Sequence, residues 1–285
     1  MLAGRFTVSN TWLMWAFGHY VVDIPAAATY TATYTAMSAM GALLRADGAT
    51  ERVVLPGRTE IGHNGSMTRI AIIGGHGNVA LKLSPILAAE GHDVTSIIRN
   101  PDHQADVAAT GATPLVLDVE QASTAEIADA LRDHDAVVWS AGAGGGNPQR
   151  TYAVDRDAAI RSMDAAGQAG AGRYVMVSYL GSRPDHGVPA DDPFFAYAEA
   201  KAAADSYLRG TSLDWTILGP GRLTDGPGTG LIDAHPDSSW QSADTSRANV
   251  ALVAAAALKI PSTTGRRIEF RDGATPIETA LEAAA

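Results

Sequence analysis

Residues Arg69 to Ala80, Arg-Ile-Ala-Ile-Ile-Gly-Gly-His-Gly-Asn-Val-Ala, constrain the fold of this chain more than any other stretch. Ile70 to Ile73 form a short apolar run with the length and β-branching of a buried parallel strand. Gly74, Gly75 and Gly77 break that run, and a helical pattern follows from Asn78 to Glu90. A strand, a glycine turn and a helix form the first half of a βαβ unit of the dinucleotide-binding kind. Gly74 suits a tight turn, and Gly77, lacking a Cβ, lets backbone approach a pyrophosphate. The helix start offers N–H groups and the positive end of its dipole to phosphates. Gly74, Gly75, His76, Gly77, Asn78 and Val79 are therefore candidate cofactor contacts. Taken alone, the spacing Gly-x-x-Gly-x-x-Ala also fits a plain glycine turn in an α/β protein.

The rest of the chain decides for the larger unit. Strand patterns at Asp93–Ile98, Thr113–Leu117, Asp135–Ser140, Arg173–Ser178, Leu213–Leu218 and Arg266–Phe270 alternate with helical ones. The helices are expected over a short stretch after Pro101, then at Ser123–Leu131, Arg150–Ala171, Phe194–Arg209 and Thr245–Leu258. Ser123 reads as an N-cap, with Glu126 three residues on. This alternation predicts an α/β fold, a doubly wound and mostly parallel sheet forming one Rossmann-like domain over 67–285. Ligands of such sheets bind beyond the carboxyl ends of the strands.

Residues 1–66 read differently. Their charges cancel, so the whole net charge of −10 belongs to the remainder. Residues 24–44 carry no charge but are rich in Ala, Thr and Tyr, which makes a weak membrane segment. The expectation is a poorly ordered N-terminal extension, or the product of a start codon called too early, with Met67 as the natural start. The acidic balance makes nucleic acids and anionic membranes poor partners. With no cysteine, disulfides and thiolate metal sites are excluded, a reducing cytoplasm fits, and the scattered histidines predict no metal site.

Several strand-end residues carry chemistry. Arg99 follows the second strand, where a carboxylate would hold a ribose 2′-hydroxyl and an arginine suits a 2′-phosphate. NADP is therefore favoured over NAD; the alternative is a solvated arginine. Asp118 can face an adenine edge with Val119 beneath the ring, or it can cap a turn. Ala141 and Gly142 open a glycine cluster that lets backbone approach the nicotinamide half, or that forms a surface loop. Pro220 and Gly221 end the sixth strand. Nineteen residues after Ser178 comes Tyr197-Ala-Glu-Ala-Lys201. Residues four apart share a helix face, and an ammonium beside a phenol favours the phenolate. Such a tyrosine can exchange a proton with a carbonyl oxygen that Ser178 also contacts.

With these residues in view, residues 67–285 resemble the short-chain dehydrogenase/reductase superfamily, in its atypical NAD(P)-binding branch. Residues 74–80 resemble the branch's Gly-x-x-Gly-x-x-Gly loop, departing at Ala80. Ile98-Arg99-Asn100 is similar to its NADP-selective turn, and Leu117-Asp118-Val119 to its adenine-side segment. Residues 171–178 are similar to the strand bearing the active-site serine. Tyr197-x-x-x-Lys201 matches the catalytic pair, residues 213–223 the strand and turn that close over nicotinamide, and residues 273–277 the carboxyl-terminal ending. The resemblance implies that Lys201 also binds the nicotinamide ribose, and it implies a homodimer through the long helices. The superfamily's helix Asn is not evident. Tyr152-Ala-Val-Asp155 occupies that region, and Asp155 either joins the site or, as the helical pattern favours, lies on the helix surface.

The expected function is an NADP-dependent oxidoreductase acting on a small carbonyl or alcohol substrate in the cytoplasm. Tyr197 would be the acid/base, Lys201 would lower its pKa and Ser178 would orient the substrate oxygen. The alternatives are an NADP-binding redox sensor and an NAD-dependent epimerase or dehydratase. Substrate is expected between Tyr179–Pro193 and Leu223–Trp240.

Overall fold

In the computed structural model of the protein, the described residues are 31–32, 44–45, 68–234 and 243–284. The chain divides into two units, Met1–Gly65 and Ser66–Ala285. In the first, Thr31–Ala32 pairs antiparallel with Leu44–Arg45. The poor order expected of residues 1–66, and the start at Met67, otherwise lie outside the described residues.

The second unit is built on one sheet. Its strands are β1 (Arg69–Ile73), β2 (Asp93–Ile98), β3 (Thr113–Val116), β4 (Ala136–Trp139), β5 (Arg173–Val177) and β6 (Asp214–Pro220), with a short β7 (Arg222–Thr224), then β8 (Leu231–Ala234), β9 (Asp244–Ser246), β10 (Arg266–Asp272) and β11 (Thr275–Pro276). Nine of them lie in the order β11-β8-β10-β6-β5-β4-β1-β2-β3, and β7 pairs with β9 separately. From β3 to β10 every pairing is parallel. Only β8 runs antiparallel to its neighbours. The chain turns to one side of β1 for β2 and β3, and to the other for β4, β5 and β6. The crevice where those directions part lies beyond the carboxyl ends of β1 and β4.

Helices cover both faces: α1 (Ala80–Ala89), α2 (Gln104–Ala108), α3 (Thr124–Ala130), α4 (Pro148–Thr151), α5 (Ala159–Ala169), α6 (Phe195–Arg209), α7 (Arg247–Lys259) and α8 (Ile277–Ala283). Strand β1 shows why. Ile70 and Ile72 enter one apolar core with Leu83, Val250 and Leu281, while Ala71 and Ile73 enter a second with Ile127, Met163 and Leu208. A strand buried on both faces needs a helix layer on each. The Ser123–Glu126 capping box forms as the spacing predicts. No described helix is long and apolar enough to cross a membrane.

Two expectations are corrected. The single helix expected over Arg150–Ala171 is three pieces, because Tyr152–Ala158 between α4 and α5 is π-helical. Its extra residue per turn widens the inward face, and Asp155 is buried beside Val154 and Ala158 rather than lying on the surface. The stretch Leu223–Trp240 is not one substrate loop either. Its Leu231–Ala234 segment forms β8 in the main sheet, hydrogen-bonded to β10 on one side and β11 on the other.

Candidate active site

The glycine turn is fixed by packing as well as by conformation. Gly74 has φ +85°, and a Cβ there would lie 2.6 Å from Ala141 Cα. A Cβ on Gly75 would lie 2.5 Å from Ser96 Cβ. Both N–H groups donate to Ile97 O, at 3.2 and 2.9 Å. These two glycines hold the loop against the ends of β2 and β4. Gly77 donates to Gly74 O at 2.8 Å, and a Cβ there would stand 3.1 Å from that oxygen. The turn's own closure thus already leaves little room for a side chain at Gly77. Among the described residues, no backbone acceptor meets the N–H of His76, Asn78 or Val79. Helix α1 begins with no side-chain cap and no acidic residue in its first turn. An anion completes such an end.

A pocket of about 220 Å³ opens beside this turn. Eight of the expected cofactor residues line it: Gly74, His76, Gly77, Arg99, Asp118, Val119, Ala141 and Gly142. Gly75, Asn78, Val79, Lys201, Pro220 and Gly221 lie outside its lining. For Gly221 the physical reason is elsewhere: a Cβ would fall 2.0 Å from Ala243 O, so the residue is glycine for contact with the 243–246 segment. Asn100, from the turn that resembles the NADP-selective one, also lines the pocket, as do His103, Glu120 and Arg150, which sequence reasoning missed. Glu120 lies between Arg150, at 3.1 Å, and Arg99, at 3.6 Å. Arg99 keeps 56% of its side chain exposed, so its weak ion pair leaves it available to a ligand. Asp118 caps the turn, Oδ1 accepting from Glu120 N at 3.1 Å, and the residue also borders the pocket. Ile98, Leu117 and Val119 supply apolar lining. A glycine turn, an uncapped helix end, an apolar slot and a cation beyond β2 together fit a dinucleotide.

The second half of the site is built by α6. Tyr197, Lys201 and Asp205 recur every four residues along it and meet three consecutive residues at the end of β5. The Tyr197 ring lies 5.4 Å from that of Tyr179, and Phe194 closes the group at 5.2 Å from Tyr197. Lys201, 1% exposed, donates from Nζ to Val177 O at 2.8 Å. Ser178 Oγ donates to Asp205 Oδ2 at 2.6 Å, as does Ser182 Oγ at 2.7 Å, with Arg267 Nη1 at 3.4 Å. Asp205 is buried, and among the described residues its Oδ1 has no partner.

The electrostatics differ from expectation. Burial pushes the Tyr197 hydroxyl well above the usual tyrosine range, and the charges of Asp155 and Asp205 add to the shift. Lys201 was expected to hold it down, but its ammonium lies against the Val177 carbonyl, and burial, with the carboxylates adding, sets the direction. Asp155 accepts from Ala143 N at 3.0 Å through Oδ2, while its buried Oδ1 has no partner among the described residues. Burial raises its carboxyl too, against the opposing pull of Lys201, the Ala143 N–H and Arg150. Asp155 thus ties the 141–143 loop to the Tyr197–Lys201 helix, a link the helical periodicity concealed.

Comparison with known proteins agrees with this geometry. A family model described as NAD(P)H-binding matches residues 74–261. The chain is 32% identical over 217 residues to YhfK of Bacillus subtilis (strain 168), named an uncharacterized sugar epimerase, covering 75% of this chain and 99% of that one. It is 33% identical over 235 residues to the UPF0659 protein YMR090W of Saccharomyces cerevisiae, covering 76% and 99%. Among solved structures, a candidate NAD-dependent epimerase/dehydratase from Bacillus halodurans superposes with TM-score 0.70 at 30% identity, covering 76% and 99%. The oxidoreductase ylbE from Lactococcus lactis gives 0.66 at 28% identity, covering 76% and 96%.

Proposed function

Because this chain belongs to the NAD(P)H-binding family, with the Rossmann-like fold of atypical short-chain dehydrogenases/reductases, we propose that it is an NADP-dependent oxidoreductase of a small, neutral carbonyl or alcohol substrate. When bound, the nicotinamide supplies or accepts hydride. The chain's residues bind and orient. The 74–79 turn and the start of α1 take the phosphates, Arg99 takes the 2′-phosphate, and Lys201 reaches the nicotinamide ribose. Tyr197 holds the proton that the substrate oxygen gains or loses. Its raised pKa keeps it a donor at neutral pH, the form that reduction of a carbonyl requires. One observation carries the reading: Tyr197 and Lys201 stand one turn apart on α6, and Lys201 is fixed at 2.8 Å to the residue preceding Ser178. Replacing Tyr197 with Phe tests it. Turnover of a carbonyl substrate found by screening with NADPH should fall at least a hundredfold, while NADPH affinity stays within about twofold. Unchanged turnover would refute the role of Tyr197.

A second reading, an epimerase, is favoured by Ser178. A hydroxyl that donates its proton to Asp205 can only accept from a ligand. It suits a substrate hydroxyl better than a carbonyl oxygen. The sugar epimerase and epimerase/dehydratase names of the relatives fit that polarity. In both readings the setting is the cytoplasm.

A further inference from the structure

Two histidines flank the pocket on its β2 side. His76 is the third residue of the glycine turn, and His103 ends the single 3₁₀ turn Pro101–His103 that follows β2. Their rings stack at 3.6 Å between centroids, 14° from parallel. Both line the pocket together with Arg99 and Asn100. His76 Nε2 lies 3.0 Å from Asp106 Oδ2 on α2. A carboxylate only accepts, so Nε2 carries a hydrogen and donates. The tautomer of a neutral His76 is thereby set: Nδ1 keeps a lone pair. A second proton turns Nδ1 into a donor and the ring into a cation.

Those two states recognise different groups. A lone pair accepts from a hydroxyl and repels a phosphate; an N–H on a cation binds a phosphate with a charge-assisted hydrogen bond. The two nicotinamide cofactors differ in just this respect, at the 2′ carbon of the adenosine ribose. Stacking at 3.6 Å would set like charges in contact if both rings carried a proton. The charged groups around it are Asp106 and Asp102 from the 101–108 segment, Arg99 from the end of β2, Asp118 and Glu120 across the pocket, and Arg150 beside Glu120.

We propose that the His76–His103 stack, held by Asp106, discriminates between the two cofactors: the neutral pair accepts from a ribose hydroxyl, and the singly protonated pair donates to a 2′-phosphate. The inference rests on the pocket's being the adenosine half of a dinucleotide site. Arg99 alone would give a preference for NADPH whose only pH dependence is the phosphate's own titration. The stack adds a second, because imidazole changes charge between about pH 5 and 8.

The test uses the full-length protein and its His76→Asn and His103→Ala variants. NADPH and NADH are titrated separately at about pH 6 and about pH 8, with nucleotide fluorescence as the readout. For the wild type, the ratio of the NADH Kd to the NADPH Kd should be about tenfold larger at the lower pH than at the higher. In H76N that gain should vanish, and in H103A it should shrink. The phosphate's own titration is common to all three proteins, so their difference isolates the imidazoles. A ratio that shifts equally in wild type and H76N overturns the proposal while leaving the pocket a cofactor site. Failure of a folded wild type to bind either nucleotide overturns the underlying reading as well.

Discussion

The Ser178 hydroxyl donates to Asp205 Oδ2 at 2.6 Å, so the serine's single proton is committed within the protein. Asp205 sits two turns beyond Tyr197 on the same helix face and also gathers Ser182 and Arg267. It joins the end of β5, α6 and β10 beneath the candidate site. Truncating it leaves the buried Ser178 and Ser182 hydroxyls without their acceptor, while Arg267 keeps Glu269. Asp205→Ala should cost about 3 kcal/mol in urea denaturation. A loss below about 0.5 kcal/mol, the level of ordinary surface substitutions, would show that the network contributes nothing.

Asp155 gives a stability prediction whose sign follows from its surroundings. Burial raises its carboxyl in the folded protein, so the fold holds this proton to higher pH than the unfolded chain does. The stability it contributes is present below the ordinary aspartate range and lost as pH rises through the folded value. Asp155→Asn stays neutral and keeps an acceptor for the Ala143 N–H. The variant should melt a few degrees higher than wild type at about pH 8 and nearly match it close to pH 4. A lower melting temperature at the higher pH would contradict the account.

The glycines separate crowding from conformation. A Cβ on Gly75 would stand 2.5 Å from Ser96 Cβ and 2.9 Å from its backbone. Gly75→Ala must push the glycine turn away from β2. It should weaken NADPH binding at least tenfold and cost about 2 kcal/mol. Gly145 has φ +80° but no atom within 4 Å of such a Cβ. Gly145→Ala should cost only about 1 kcal/mol and leave NADPH binding unchanged. Calorimetry and a nucleotide titration on the two variants check both halves.

What the sequence disclosed was mainly local. Strand Asp93–Ile98 and the Ser123–Glu126 capping box are set by residues within a few positions of each other, and both form as read. The Tyr197–Lys201 pair was visible for the same reason. Asp205 continues the same four-residue spacing, so a signal for it existed. What the spacing could not show was the serine brought to it from β5. Asp155 was hidden because helical periodicity assumes 3.6 residues per turn, and a π-helical turn breaks that register. His103 was hidden because its importance comes from a ring 27 positions away that only the β1–β2 pairing brings into contact. Strand β8 was lost among glycines and prolines, since a strand of four residues carries little pattern of its own.

The central claim is that the 74–79 turn and Arg99 hold NADP. The most direct measurement is titration of NADPH and NADH into the wild-type protein and its Arg99→Ala variant at neutral pH, followed by fluorescence or calorimetry. The account predicts wild-type binding of NADPH at least tenfold tighter than NADH, and an Arg99→Ala variant that loses most of that gap while keeping its NADH affinity. Folded wild-type protein that binds neither nucleotide, or binds both equally with or without Arg99, would contradict it.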